Sequence, residues 1–418
     1  MDSAERVRPQ LARQVAHWTA AARRLGALEN LAAPEAWGRL EQYLGLSIRD
    51  HLRGVSRRLA HQGDAVSAAL AAAHSARDVM DVRRQLLAFR RQYLRAEVTL
   101  DFYADAINSR TTTAQGGLLR ACDTIAYRAM AGVLEPLGHE TPVALTYIDK
   151  GLGASILKAG LRLWDGGALS VAAAIKVVRH NLARPTALVH EAGHQVSHIV
   201  GWNEELARTL DSGLASTPAL AGIWSSWASE IAADAVAFVH TGYGSVLALH
   251  DVLAAEPASV FRVVGGDPHP MSFLRIELGI EMCRLAWGAG AWDQLAAAWR
   301  TQYPPSAAPP AARALIIASM PRMPAIARLT LATPMHAFRD RALSDVVSPS
   351  RVSPRMLDEM EKKLGPALYT SPHWVWTECL RLLALSALHA GERATLPSDA
   401  RELPEQWMHR LGGLMEAA

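Results

Sequence analysis

Apolar residues recur at helical spacing through most of residues 1–135. In VMDVRRQLLAFRRQYLRAEV, Val79, Val82, Leu86, Leu87, Phe89, Tyr93 and Leu94 return every few positions, the rhythm of one buried helix face. Alanine, leucine and arginine dominate the region, all good helix formers. It predicts a helical bundle or hairpin array, with no repeat of fixed period. The rhythm then changes. TPVALTYIDKG (141–151) is β-branched and aromatic between a proline and a glycine, and it predicts a strand. AAAIKVVRHNL (172–182) predicts a second strand, with a turn at WDGG (164–167) between the two. Helical spacing returns after Pro185, with Thr186 as N-cap and Gly201 as the stop. Further helices are predicted over 222–240 and, after the GGDPHP turn at 265–270, over 271–288. YPPSAAPPAAR (303–313) predicts a Pro/Ala-rich linker. The rest is helical, broken by Pro354, Pro366, Pro372 and Pro397. The pattern thus divides the chain into a helical N-terminal region (1–135), a mixed core (136–302), the linker (303–313) and a helical C-terminal region (314–418). The fold class is α+β, predominantly α-helical, with a small sheet in the core.

Composition narrows the setting. Half of the 418 residues are hydrophobic and a fifth are charged, ordinary for a soluble globular protein. No run approaches the roughly 18 consecutive apolar residues of a membrane span. The opening MDSAERVRPQLARQ lacks the apolar core of a secretory signal. The expectation is a cytoplasmic protein with no membrane span. Three scattered cysteines, Cys122, Cys283 and Cys379, form neither a disulfide framework nor a cysteine metal site, so any bound metal takes nitrogen and oxygen ligands. The net charge is +3 and only five basic residues are lysine. Acidic residues are mixed among the arginines, so no nucleic acid partner is expected. Oligomeric state is not legible.

The candidate chemistry lies in TALVHEAGHQVSHIVGW (186–202). His190 and His194 are four apart, so on a helix their imidazoles share one face and can converge on one cation. Glu191 lies about 100° round the helix, beside that site. This is the H-E-x-x-H arrangement, in which the glutamate acts as base on a metal-activated water. Val189, Ala192, Val196, Ile199 and Val200 make the other face apolar, which anchors the helix in a core.

A catalytic zinc site needs a third protein ligand and an open position. His198 is two turns from His190, about 12 Å along the axis, too far to close a site with both histidines. Glu204 and Glu205 follow in GWNEELA, within reach of a loop. Glu230, in WASEIAADAVAF, is the strongest candidate. It shares a helix face with Trp227, Ile231, Asp234 and Phe238. Two carboxylates on an aromatic stripe are costly to bury unless something positive meets them. A salt bridge to a distant arginine would do this, and so would a metal with its histidines. In the metal reading Glu230 is a ligand, and Asp234 hydrogen-bonds the far nitrogen of a ligand histidine and fixes its tautomer.

H-E-x-G-H followed by E-x-x-A-D on a second helix resembles the gluzincin metallopeptidases. The closest are the soluble minigluzincins and the peptidase core of the CAAX-prenyl-protease type. Members often carry a later His-Pro turn and an Arg-Ile pair. Here DPHPMSFLRIEL supplies His269, Pro270, Arg275 and Ile276. The resemblance covers about residues 170–285. It implies a zincin-like core and Zn2+ held by His190, His194 and Glu230. Glu191 would be the general base and Asp234 would stand behind a ligand. Arg275, with His269, would build or line the site. The sequence lacks the transmembrane helices of the membrane-embedded members, and its terminal regions fall outside the resemblance, so substrate class does not transfer.

The expected activity is zinc-dependent hydrolysis of a peptide or protein substrate. Glu191 would carry the proton from the attacking water to the leaving amine. Arg275, His269 or Tyr243 would steady the oxyanion. A substrate strand could add to an edge strand at 172–182. The rival expectations are a metallopeptidase-like binding or assembly module without turnover, and a non-peptidase zinc hydrolase. An intact Glu191 favours the enzyme, because a scaffold needs the ligands but not the base.

Overall fold

The alanine- and arginine-rich opening folds as four helices: α1 (Ser3–Arg24), α2 (Pro34–Leu44), α3 (Ile48–Ala71) and α4 (Ala76–Asn108). The computed structural model describes residues 3–45, 47–149, 155–157, 172–182, 184–393 and 403–414. The turn expected at 164–167 lies outside them. The entry to α4 is a capping box. The Ser75 side chain accepts from the Asp78 amide, and the Asp78 carboxylate accepts from the Ser75 amide, so two otherwise orphaned donors are satisfied. Leu11 and Val15 of α1, Leu59 and Val66 of α3, and Leu86 and Phe89 of α4 share one buried cluster. Leu87 and Leu94, expected on that face, are instead exposed. They follow the buried Leu86 and Tyr93 by one residue, and one residue turns a side chain about 100° away.

Among the described residues, contacts gather 3–111 into one unit, and those from Thr112 onward into a second. α5 (Thr113–Leu134) opens the second unit and packs on β1 (Val143–Ile148). The Asp123 carboxylate of α5 accepts from the Thr146 amide at 2.6 Å and from its hydroxyl at 2.7 Å. β1 pairs in parallel with β3 (Ala172–Val177), and β2 (Ser155–Leu157) pairs with β3 antiparallel, giving the order β1-β3-β2. β3 is therefore central rather than an edge. Over 174–176 both its sides are hydrogen-bonded, so a substrate strand cannot add there. The fold is thus a predominantly α-helical α+β arrangement with one small sheet.

Next come α6 (Thr186–Ile199), α7 (Trp202–Gly213), α8 (Pro218–Ser226), α9 (Ala228–Thr241) and α10 (Tyr243–Leu253). Pro185, not Thr186, precedes the first turn of α6, as suits a residue with no amide proton to satisfy. Gly201 ends it at φ 69°, a conformation that favours glycine. The single helix expected over 222–240 is two, broken at Trp227. The break sets Trp224 and Trp227 edge to face at 5.4 Å, and the Trp224 indole donates to Ser319.

After the short α11 (Pro257–Val260), α12 (Ser272–Trp287) is stapled to α13 (Ala291–Gln302). Arg300 donates to both oxygens of the buried Glu277, at 2.7 and 2.6 Å. The stretch expected as a linker packs into the same core. Tyr303, Ala308 and Ala312 are buried with it, and the Tyr303 hydroxyl donates to the Ala255 carbonyl. Its prolines act as helix starters: Pro310 opens α14 (Pro310–Ser319), where a missing amide proton costs nothing. α14 and α15 (Met323–Leu331) lie in Pro310–Leu331, the one helical stretch among the described residues long and apolar enough by length and composition to cross a membrane. Ile316, Ile326 and Leu331 on it are buried in the unit's core.

Candidate metal centre

The site depends on how closely α6 and α9 approach. A Cβ built on Gly193 would lie 2.8 Å from the Ala233 Cα and carbonyl oxygen. Only glycine permits the two backbones to come so near. That contact sets the histidine face of α6 against the carboxylate face of α9, and the Gly of H-E-x-G-H and the small residue before Asp234 become one structural requirement.

Across this contact, His194 Nε2 lies 3.2 Å from Glu230 Oε1 and His190 Nε2 lies 3.4 Å from Glu230 Oε2. The imidazole centroids are 4.7 Å apart at 81°. Among the described residues, His190, His194 and Glu230 are the one group of three or more such side chains whose donor atoms converge, all within 4.8 Å of one another. Zinc–ligand bonds of about 2.0–2.1 Å at tetrahedral angles put ligands about 3.4 Å apart, so the set fits a small divalent ion.

Each imidazole has a partner on its other nitrogen. His190 Nδ1 is 2.8 Å from Asp234 Oδ1, which fixes Nδ1–H as donor and turns Nε2 toward Glu230. His194 Nδ1 lies 3.4 Å from the Ser229 hydroxyl. Arg275 enters from α12. Its Nε donates to Asp234 Oδ2 at 2.6 Å and its Nη2 to Asp234 Oδ1 at 2.8 Å. The same Nη2 stands 3.1 Å from Glu230 Oε2. The salt bridge to an arginine expected as one answer to the two carboxylates is thus present, beside the histidines of the metal reading.

Burial works against ionisation of Glu230, but hydrogen bonds from His190 and His194 and the Arg275 charge outweigh it, and the carboxyl is held well below its usual range. Burial likewise opposes Asp234, but Arg275 and His190 hold it at about 2. His190 is pushed up to about 9: burial disfavours its charge, while the Asp234 charge and hydrogen bond more than compensate. Without an ion, a proton on His190 thus supplies the positive charge that the site demands. A divalent cation between the two Nε2 atoms and Glu230 would supply it instead.

Glu191 is buried beside this group, and its carboxyl is raised, chiefly by burial. It opens with His190, His194 and Glu230 onto a cavity of about 480 Å3. α10 and α12 give the cavity an apolar wall, including Val246, Leu249, Leu278 and Met282. Gly279 belongs to that wall. A Cβ there would press within 3.1 Å of Val246, so the glycine keeps α10 and α12 close.

His269 stands at the rim, 61% exposed, with Nε2 3.6 Å from Glu230 Oε1. Its ring is held by Asp267, whose Oδ1 accepts from Nδ1 at 2.7 Å and from the His269 amide at 3.0 Å. Tyr243 does not join the site. It lies outside the cavity lining, packs its ring 5.6 Å from that of Trp292, and burial raises its hydroxyl to about 12. The other ligand candidates lie elsewhere. Glu205 accepts from the His336 and Ala337 amides at 2.8 and 2.9 Å, and His198 and Glu204 are exposed.

Sequence reasoning missed Ser229, Asp267 and the apolar wall. Ser229 adjoins Glu230, and Asp267 precedes His269 by two residues, where a short acidic side chain reaches back to its own turn. Those two carried a local signal. The wall did not, because it comes from residues on α10 and α12 that only tertiary packing brings together. The chain matches no family model, no curated protein and no solved structure.

Proposed function

We propose that this chain is a zinc-dependent metallopeptidase of the gluzincin type, with a zincin-like core built on α6 and α9. The observation that carries this reading is the convergence of His190, His194 and Glu230 with a buried Glu191 beside them. Two imidazoles and one carboxylate suit zinc among the common divalent ions. A bound zinc ion supplies Lewis acidity and an acidified water.

The protein's own groups do the rest. Asp234 holds the His190 tautomer so that Nε2 keeps its lone pair for the ion. Arg275 keeps Glu230 and Asp234 ionised and in place; its guanidinium is committed to those carboxylates. Glu191 takes the proton from the attacking water and delivers it to the leaving amine. Its raised carboxyl pKa brings it nearer the working pH, where such a shuttle is effective. His269, its ring oriented by Asp267, would turn Nε2 toward the developing oxyanion. The apolar wall next to the metal ligands suits a substrate with a bulky apolar side chain beside the scissile bond.

The test is hydrolysis of a mixed peptide library followed by mass spectrometry, with Glu191→Gln as the variant. The reading expects cleavage by the zinc-loaded wild type. It expects at least a ~100-fold loss in Glu191→Gln, the scale of a general base, with zinc retained. Equal cleavage by both proteins would overturn the role of Glu191. Zinc binding without cleavage of any peptide would leave a binding module.

A further inference from the structure

α4 carries two apolar stripes. The inner one, with Val82, Leu86 and Phe89, is buried within its own unit. The outer one consists of Met80, Leu87, Leu94 and Val98, which are 43, 41, 40 and 64% exposed. These are four of the eleven large apolar residues exposed among the described residues, and no other described helix exposes more than one. Single exposed apolar residues are ordinary, but an aligned set marks an interaction surface. Residues 80, 87 and 94 are spaced by seven, and 98 follows by four. On a helix all four fall within about 40° of one line, which runs for about 27 Å. That is the seam of a helix-on-helix interface.

The seam is also charged. Arg84 and Arg91 lie about 40° round from Met80 and Leu87, in the row that ends at Val98, and Arg83, Arg90 and Arg95 flank the stripe. Arg84 pairs with Asp81, and Arg90 lies over the Trp18 ring at 5.1 Å. The remaining arginines are exposed.

The geometry points to a docking surface on α4 for an acidic amphipathic helix of a partner protein, one that sets leucine-like side chains on Met80, Leu87, Leu94 and Val98 and carboxylates on Arg84 and Arg91. A second copy of this chain fits less well. Antiparallel pairing centred on the seam puts Arg84 opposite Leu94 and Arg91 opposite Leu87, guanidiniums against leucines; parallel pairing puts each arginine against itself. Neither arrangement sets a carboxylate directly opposite either arginine. A lipid surface also fits less well, because it favours a broad apolar face, and here the apolar arc is only about 40° wide. This surface does not depend on the metal centre.

The test is fluorescence anisotropy of the full chain with a labelled synthetic helix about four heptads long, carrying Leu at the seam and Glu beside it. A second peptide replaces each Glu by Lys. The Glu peptide should bind, and the Lys peptide at least about tenfold more weakly. Leu87→Glu and Leu94→Glu should weaken the Glu peptide by at least about tenfold while leaving the circular dichroism melt unchanged, since both side chains are exposed. Arg84→Glu with Arg91→Glu should reverse the preference between the peptides. Equal binding of both peptides, or no binding of either, would overturn the proposal, as would binding that the α4 variants leave intact. A dimer in sedimentation velocity that Leu87→Glu dissolves would make a second copy the occupant. Flotation with phosphatidylserine vesicles in the absence of peptide binding would make it a membrane.

Discussion

α9 and α4 break the usual hydropathy rule in opposite directions. α9 takes Glu230 and Asp234 inward, among residues such as Ile231 and Phe238. α4 turns Met80, Leu87, Leu94 and Val98 outward. Each is costly alone, so each implies something to offset it. For α9 the compensation lies within the chain. Arg275 and a protonated His190 answer the carboxylates, and the same geometry accepts a cation in the proton's place. For α4 the compensation would come from outside the chain. Under the two proposals, inward charge marks chemistry and outward apolar surface marks association.

The comparison breaks most readily at Arg275. Arg275→Met would strand two buried carboxylates, and chemical denaturation of the metal-free protein should show a loss of about 3–5 kcal/mol, the cost of removing one partner from a buried pair. A loss no larger than that of a surface substitution would mean that the carboxylates are not dependent on Arg275.

The next largest effect is on pH. His240, in the last turn of α9, is buried with no described partner for Nε2, and burial lowers it to about 4. Its folded pKa lies below the unfolded 6.5, so its neutral form favours the fold. That contribution is whole above pH 6.5 and is lost as pH falls toward 4, up to roughly 3 kcal/mol. Urea midpoints at pH 7 and 4.5 should differ more in wild type than in His240→Leu. His190 has the opposite sign. Its pKa is raised to about 9, so in the metal-free protein its contribution is whole below pH 6.5 and is lost as pH rises through 9. Zinc competes with that same proton, so zinc affinity should climb across the same interval. An affinity flat between pH 6.5 and 9 would contradict the placement of the proton.

Asp234→Asn tests the orientation of His190 more gently. Zinc affinity, measured by competition with a chromophoric chelator, should fall about 10–100-fold, the usual effect of losing the group behind a ligand histidine. Smallest of all is α4. Leu87→Glu should change unfolding free energy by no more than about 0.5 kcal/mol. A large loss would place Leu87 in a core and remove the contrast with α9.

Much of this was readable in the residues. H-E-x-G-H and E-x-x-A-D lie within single helices, so their spacing alone placed the ligand atoms on one face. The boundaries of β1 and α12 were legible for the same local reason. What escaped depends on tertiary packing. Trp227 interrupts a stretch that is continuous in pattern, and nothing in the local pattern marks the break. The prolines of 303–313 read as a linker because their composition does not reveal that Tyr303 and Ala308 are buried. The edge expected at 172–182 is covered by the three-residue β2, too short to stand out in the sequence. Tyr243, expected as a phenolic donor to the oxyanion, follows the turn at Gly242 and lies outside the cavity lining.

The most direct measurement is metal content per chain, by elemental analysis after zinc loading and desalting, in wild type and in Glu230→Ala. The account predicts about one zinc per folded wild-type chain, as a three-ligand site requires, and a large loss in the variant. No zinc in folded wild type would contradict the metal centre outright. One zinc in both would contradict Glu230 as its third ligand.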